Sequence, residues 1–335
     1  MTPNGQLVWA GQFVCTETAI ITGVALDTNN NVFFSGSYSG TIDMNPTDGV
    51  SSMTPAGQSD GFVAKLTNAG DLVWQAHVRD TDGAETCEGV GVDSDGSVYY
   101  IGRFGNSGPI DFDPGIVLHQ MTATGARSVF IVKLTNERQL VWAEQFDCHG
   151  GSIYFPVMTV NAAGNVYVGG TIKNTVDLDP GAAVFDVTCI GNQNGFLVKL
   201  NPSGEFSWAK RITGSDVAPN AIAVDSHGRI HLVATFTDLT KNVTGSPAKF
   251  TAGSRSFIAK YKPNGKRIWS GTVGGADNNE DIVSCAGLAV DSKSRIYVLG
   301  GMEHTVDVEP DDGVHEITAI GDYDGILLKL DLSPQ

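Results

Sequence analysis

Residues 89–102 read GVGVDSDGSVYYIG, and two short apolar runs separated by a tight polar turn decide the fold. The run ending at Asp93 alternates small and large side chains. The run from Val98 to Ile101 is β-branched and aromatic, and Ser94-Asp95-Gly96-Ser97 between them is turn chemistry. Such a pair is an antiparallel hairpin rather than a helix. The same hairpin recurs: GVALD, MTVN, IAVD and LAVD end at Asp27, Asn161, Asp225 and Asp291, and each is followed by a turn and then VFFSG, VYVGG, IHLVA or IYVLG.

A second ruler has the same period. Trp9, Trp74, Trp142, Trp208 and Trp269 lie 61 to 68 residues apart. Each Trp after Trp9 follows a second hairpin turn (TNAGD, TNERQ, NPSGE, KPNGK), preceded by GFVAKL, VFIVKL, GFLVKL or SFIAKY, with GILLKL near the C-terminus. A period therefore holds four short strands, A to D, and self-similarity at such a period marks a propeller or a solenoid. The expected fold is all-β: a five-bladed β-propeller with four antiparallel strands per blade. The chain opens on a D strand and ends on A, B and C, so the N-terminal strand is expected to complete the last blade and close the ring. A single domain over 1–335 follows, with blades near 20–79, 86–147, 155–213, 218–274, and 282–335 joined by 5–14.

Recurrence separates packing from binding, because a packing residue must return in every blade while a binding residue need not. The Trp residues and the B-strand rings Phe33, Tyr99, Tyr167 and Tyr297, with His231 in the fourth blade, read as inter-blade core; a sugar-stacking platform is the sharper alternative. Lys65, Lys133, Lys199, Lys260 and Lys329 are expected to lay their stems on apolar neighbours and keep their ammonium heads in water. Cys15, Cys87, Cys148, Cys189 and Cys285 show no CxxC pair and read as small buried residues.

The pattern G-x-L-x-W-A, A-V-D-x-x-G-x-V-Y-V-x-G, T-V-D-x-D-P-G, G-F-x-V-K-L spans nearly the whole chain and resembles the bacterial SBBP β-propeller repeats. That resemblance implies a secreted or cell-surface protein, a monomer or a module of a larger chain, and no particular chemical activity. The family is named for seven blades, whereas five copies stand here. The start, Met1-Thr2-Pro3-Asn4, has no signal-peptide character, so either the protein is cytosolic or a signal is absent from this sequence.

Composition narrows the partners. With 37 acidic against 21 basic residues the net charge is −16, and no Lys/Arg cluster offsets it. Such a surface is not attracted to nucleic acid or anionic membranes, and no apolar run is long enough for membrane insertion. The long B–C connections carry TIDMNPTDG, PIDFDPG, TVDLDPG and TVDVEPDDG, and the fourth blade breaks the pattern with LTKNVTGSP. Asp43, Asp111, Asp113, Asp177, Asp179, Asp307 and Glu309 can offer oxygens to Ca²⁺ as a cofactor. The simpler reading is a turn held by a carboxylate on backbone N–H groups, since Ca²⁺ wants six to eight oxygens. The D–A loops emerge on the same face and vary most. Asp80, Asp82, His149, Tyr154, Asn278, Asn279, Glu280 and Asp281 are the candidate contacts for a glycan or protein ligand, or plain solvated loop.

Enzyme signatures are scarce: H-E-x-x-H and the phosphate-cradling G-x-x-x-x-G-K are missing. The expected function is a non-catalytic binding or scaffold module. Its alternatives are a glycoside hydrolase or lyase using loop carboxylates, and a purely structural spacer.

Overall fold

The computed structural model describes residues 5–80, 83–105, 108–125, 127–214, 216–236, 255–274, 282–311 and 313–331. Asp82, Asn278, Asn279, Glu280 and Asp281 therefore lie outside the described residues. Among the described residues every regular element is a β-strand, and the main ones form five successive antiparallel sheets. The first holds A Thr18–Leu26, B Val32–Ser39, C Asp60–Leu66 and D Leu72–Val78, hydrogen-bonded in that order. The second holds Thr86–Val92, Val98–Gly105, Arg127–Leu134 and Leu140–Phe146, and the third Ser152–Val160, Val166–Lys173, Asn194–Leu200 and Phe206–Ile212. The fourth holds Ala218–Val224, Ile230–Phe236, Arg255–Tyr261 and Arg267–Val273. The fifth has three strands, Val283–Val290, Ile296–Met302 and Asp324–Leu330. This is the all-β, propeller-type architecture the repeats predict.

Turn chemistry explains why each A–B hairpin forms where it does. The Asp27 Oδ1 accepts the N–H groups of Asn29 and Asn31, and Asp93, Asp225 and Asp291 bind the residues two and four ahead in the same way. Asn161 does likewise toward Asn165.

Apolar cores form between successive blades. One packs Phe33, Val63 and Trp74 of the first blade on Val90, Tyr100 and Phe130 of the second; others join the second to the third, the third to the fourth and the fourth to the fifth. The Trp residues rivet these joints. The indole N–H of Trp74 donates to the Asn136 carbonyl, that of Trp142 to Pro202 and that of Trp208 to Pro263, each in the C–D turn of the following blade. Gly204 and Gly265 of those turns have φ of +85° and +77°, and a Cβ on either would press against the indole ring at about 3 Å.

The lysines differ from expectation. Lys65 and Lys260 are buried, and Lys65, Lys133, Lys199 and Lys329 hold their ammonium groups over the B-strand rings of Phe33, Tyr99, Tyr167 and Tyr297. Lys65 reaches the Asn136 Oδ1 of the next blade, and Lys133 reaches Asp93 at 3.7 Å and the Pro202 carbonyl at 3.4 Å. At Lys65 and Lys133 a cation–π contact and a fixed acceptor replace part of the water, whereas Lys329 is exposed as expected.

Among the described residues, ring closure by the N-terminal strand is not seen: there Asp324–Leu330 pairs with Ile296–Met302 alone. Residues 5–13 instead hold the first blade through side chains, with Trp9 on the Asn68 carbonyl and Phe13 stacked on Phe34 at 4.8 Å. Val14–Cys15 then joins a small sheet with Ile42–Asp43 and Ser52–Met53. Two apolar faces stay uncovered as a result. Leu327 is 71% exposed, whereas its counterparts Val63, Ile131, Leu197 and Ile258 are buried. On the other side Val24 is 68% exposed, whereas its counterpart Val90 is buried.

Candidate functional site

The B–C connections fold into small hairpins of one design. Each pairs a short strand after the B strand with a second before the C strand: Pro109–Asp111 with Gln120–Thr122, Thr175–Asp177 with Asp186–Thr188, Thr305–Asp307 with Glu316–Thr318. The first carboxylate of each acidic motif closes its hairpin from within. The Oδ1 of Asp43 accepts the N–H of Asn45 and of Ser51; Asp111 accepts Asp113 and His119, Asp177 accepts Asp179 and Phe185, and Asp307 accepts Glu309 and His315, all between 2.7 and 3.0 Å. The second carboxylates of two motifs repeat the device, Asp113 accepting the N–H of Gly115 and Asp179 that of Gly181. Two backbone donors per Asp43 carboxylate favour the charged form and hold it below its usual range. The acid–Pro motif is thus turn chemistry first.

Each hairpin carries apolar side chains out to its tip. Val50 is 81% exposed, Ile116, Val117 and Leu118 follow Gly115 fully or largely exposed, Val184 and Phe185 stand in the third blade, and Val314 is 75% exposed in the fifth. Four blades thus present aliphatic tips on acidic hairpins. The sequence showed these residues only as loop filler, because Gly-Val and Gly-Ile-Val-Leu look like any strand start. Their register beyond the Oδ1-closed turn is what puts them in solvent.

The D–A loops pack against these hairpins, as expected. The Asp177 N–H donates to the Asp147 carbonyl, the Gly274 N–H to Asp307, and the Thr16 N–H to Thr41. His149 sits in its loop with φ +39°, its N–H on the Asp147 Oδ1 at 2.9 Å. Tyr154 differs from expectation by lying within a strand, opposite Thr171 and beside a bulge that turns Phe155 outward under the Arg103 guanidinium.

Asp80 is 9% exposed, in contrast to the exposed contact the sequence leads one to expect. It belongs to a buried acidic group with Asp60 and Glu85. Burial, aided by Asp80, pushes the Glu85 carboxyl up to about 7, and burial raises Asp60 as well. Sequence reading missed Glu85, which looks like any loop acid in DTDGAET. A general acid for glycoside hydrolysis would have such a raised value, but Glu85 is 0% exposed and no substrate can touch it. A depression at the first joint is lined by Lys65, Trp74, Gln75, Asn136 and Arg138, residues already committed to packing and to the inter-blade bonds.

The cysteines are free thiols; Cys87, Cys148 and Cys285 are buried, and Cys15 and Cys189 are part-exposed. Burial raises the thiols of Cys87, Cys148, Cys189 and Cys285, which makes them poor nucleophiles.

No family model matches the chain. The chain is 22% identical over 359 residues to a protein of Acanthamoeba polyphaga mimivirus described as an uncharacterized WD repeat-containing protein, covering 88% of this chain and 25% of that relative. Among solved structures it aligns with a chain of the crystal structure of the mitotic checkpoint complex at 9% identity and a TM-score of 0.30, over 97% of this chain and 96% of that one. The comparisons thus go with a β-propeller type of repeat and not with the SBBP type in particular, while this chain spans only a quarter of the curated relative's length.

Proposed function

We propose that the chain is a non-catalytic docking scaffold whose partner is a protein, bound on the face that carries the B–C hairpins and D–A loops. One observation carries this reading: exposed aliphatic tips recur at Val50, Ile116–Leu118, Val184 and Val314 on hairpins whose carboxylates are spent on their own backbone. Apolar side chains rimmed by acid suit a protein surface that is apolar at its centre and basic around it. The net charge of −16 steers such a partner inward and repels acidic ones. The name of the mimivirus relative agrees in kind, since it too is described by its repeats and not by a reaction.

The scaffold would be a five-bladed ring in which Leu7–Phe13 is the fourth strand of the last blade. Trp9 supports this by making on Asn68 the bond that Trp74, Trp142 and Trp208 make one blade later. The uncovered faces at Leu327 and Val24 are the two that would meet. An extracellular or cell-surface setting rests on the resemblance of the repeats alone.

A display library of basic–apolar peptides tests the docking face. Selected peptides should bind in a salt-dependent way and lose at least tenfold in affinity to a variant with Ile116→Ser and Leu118→Ser. Turnover of a polysaccharide that vanished on substitution of a loop carboxylate would replace the scaffold with the glycoside hydrolase.

A further inference from the structure

We propose that His149, Asp177 and Asp186 form a binding site for a divalent transition-metal ion of the Zn²⁺ class. Hairpin register sets the scene. Position Asp43 faces Ser52 across its hairpin and Asp111 faces Gln120, but Asp177 faces Asp186 directly. Like charges opposite one another on a ladder repel. Among the described residues no Lys or Arg forms an ion pair with either acid, and His149 is the ion-pair partner of Asp186. One potential ligand atom from each of His149, Asp177 and Asp186 lies within 4.8 Å of the others.

The imidazole is aimed in the way a metal ligand needs. Its Nε2 faces Asp186 Oδ1 at 3.8 Å, while its Nδ1 lies 3.5 Å from Asp147 Oδ1 on the far side. A carboxylate beside Nδ1 favours the Nδ1–H tautomer, which leaves the Nε2 lone pair for the ion. The Asp177 carboxylate is buried with Oδ1 held by two N–H groups, which leaves Oδ2 for a ligand at a fixed place. The hairpin and the loop are tied together by the Asp177 N–H on the Asp147 carbonyl at 2.8 Å. The site is therefore built on one strand pair and one locked loop.

The donor set chooses the ion. Ca²⁺ and Mg²⁺ take oxygen ligands, whereas one imidazole with two carboxylates suits Zn²⁺ and its neighbours. Three protein ligands leave coordination open to water, and the His149 and Asp186 side chains are 44% and 51% exposed, so a partner could add a ligand from solvent. Fifth-blade Asp307 faces Glu316 in the same register, but no imidazole joins them among the described residues, so the third blade alone carries the full set there.

Zn²⁺ titration of the full chain by isothermal calorimetry, after chelation and dialysis, tests the site. One ion should bind. His149→Asn, which tolerates the left-handed backbone, and Asp186→Asn should each weaken binding at least 100-fold, and Asp147→Asn should weaken it about 10- to 100-fold by freeing the ring. All three variants keep every cysteine, and their unchanged far-ultraviolet circular dichroism would show that they fold. Equal Zn²⁺ affinity in the parent and His149→Asn, or no binding by the parent, would overturn the proposal.

Discussion

The Trp9 indole N–H donates to the Asn68 carbonyl at 3.0 Å, and so a residue near the start of the chain occupies the place that a D-strand Trp of a preceding blade would fill. Gly11 extends the match. A Cβ there would collide with Pro46 of the first B–C hairpin, just as one on Gly271 would collide with Pro310 of the fifth. The N-terminal segment therefore docks on the first blade as a D strand docks on the blade after it.

That bond makes Trp9→Phe informative, because an aromatic ring is kept while the N–H donor is lost together with part of the indole. The Asn68 carbonyl is near solvent, so the expected cost is about 1 kcal/mol. Urea unfolding followed by fluorescence of the remaining tryptophans measures it, and Trp74→Phe should cost more because its joint is more deeply buried.

Asp111 offers a test of the turn assignment. Asp111→Asn keeps the Oδ1 that accepts the Asp113 and His119 N–H groups, whereas Asp111→Ala leaves both without it. The alanine variant should lose roughly 1–2 kcal/mol, and the asparagine variant should stay within about 0.5 kcal/mol of the parent. Limited proteolysis at residues 114–119 should accelerate in the alanine variant only.

Glu85 and His77 give stability a pH dependence of opposite signs. The Glu85 value is raised in the fold to about 7 by burial, so its stabilising contribution is fully present below about 4.5 and is lost as pH rises through 7. Burial lowers His77 to about 4, so the fold loses stability as pH falls below about 6.5 and the unfolded chain takes up the proton. Glu85→Gln should therefore raise the Tm relative to the parent at pH 8 and change it little at pH 5. A Tm difference independent of pH would contradict the assignment.

The architecture was legible because recurrence is written in residue types. Asp27, Asp93, Asn161, Asp225 and Asp291 mark one turn, and the structure uses all of these side chains as the pattern implies; Trp9, Trp74, Trp142 and Trp208 mark one joint, while Trp269 donates to Asp311 Oδ1 instead. The site was legible only in part. His149 stood out as a departure from the repeat, but its partner Asp186 did not, because an isolated Asp in GAAVFDV signals nothing until hairpin register sets it opposite Asp177. Asp80 and Glu85 were misjudged or missed for the reverse reason: acidic loop residues are expected in water, and here both are buried near Asp60. Lysine placement failed similarly, since a stem on apolar surface and an ammonium over a ring look alike in sequence.

The claim that one ring of five blades presents the docking face is tested most directly by hydrogen exchange on residues 324–330. By the register that sets Lys65 opposite Trp74, Lys133 opposite Trp142 and Lys199 opposite Trp208, a closed ring sets Lys329 opposite Trp9. The account predicts amides in 324–330 and 7–13 protected for as long as those of Gly61–Leu66, with deletion of residues 1–14 abolishing that protection in 324–330. Exchange of both segments within seconds, unchanged by the deletion, would contradict it.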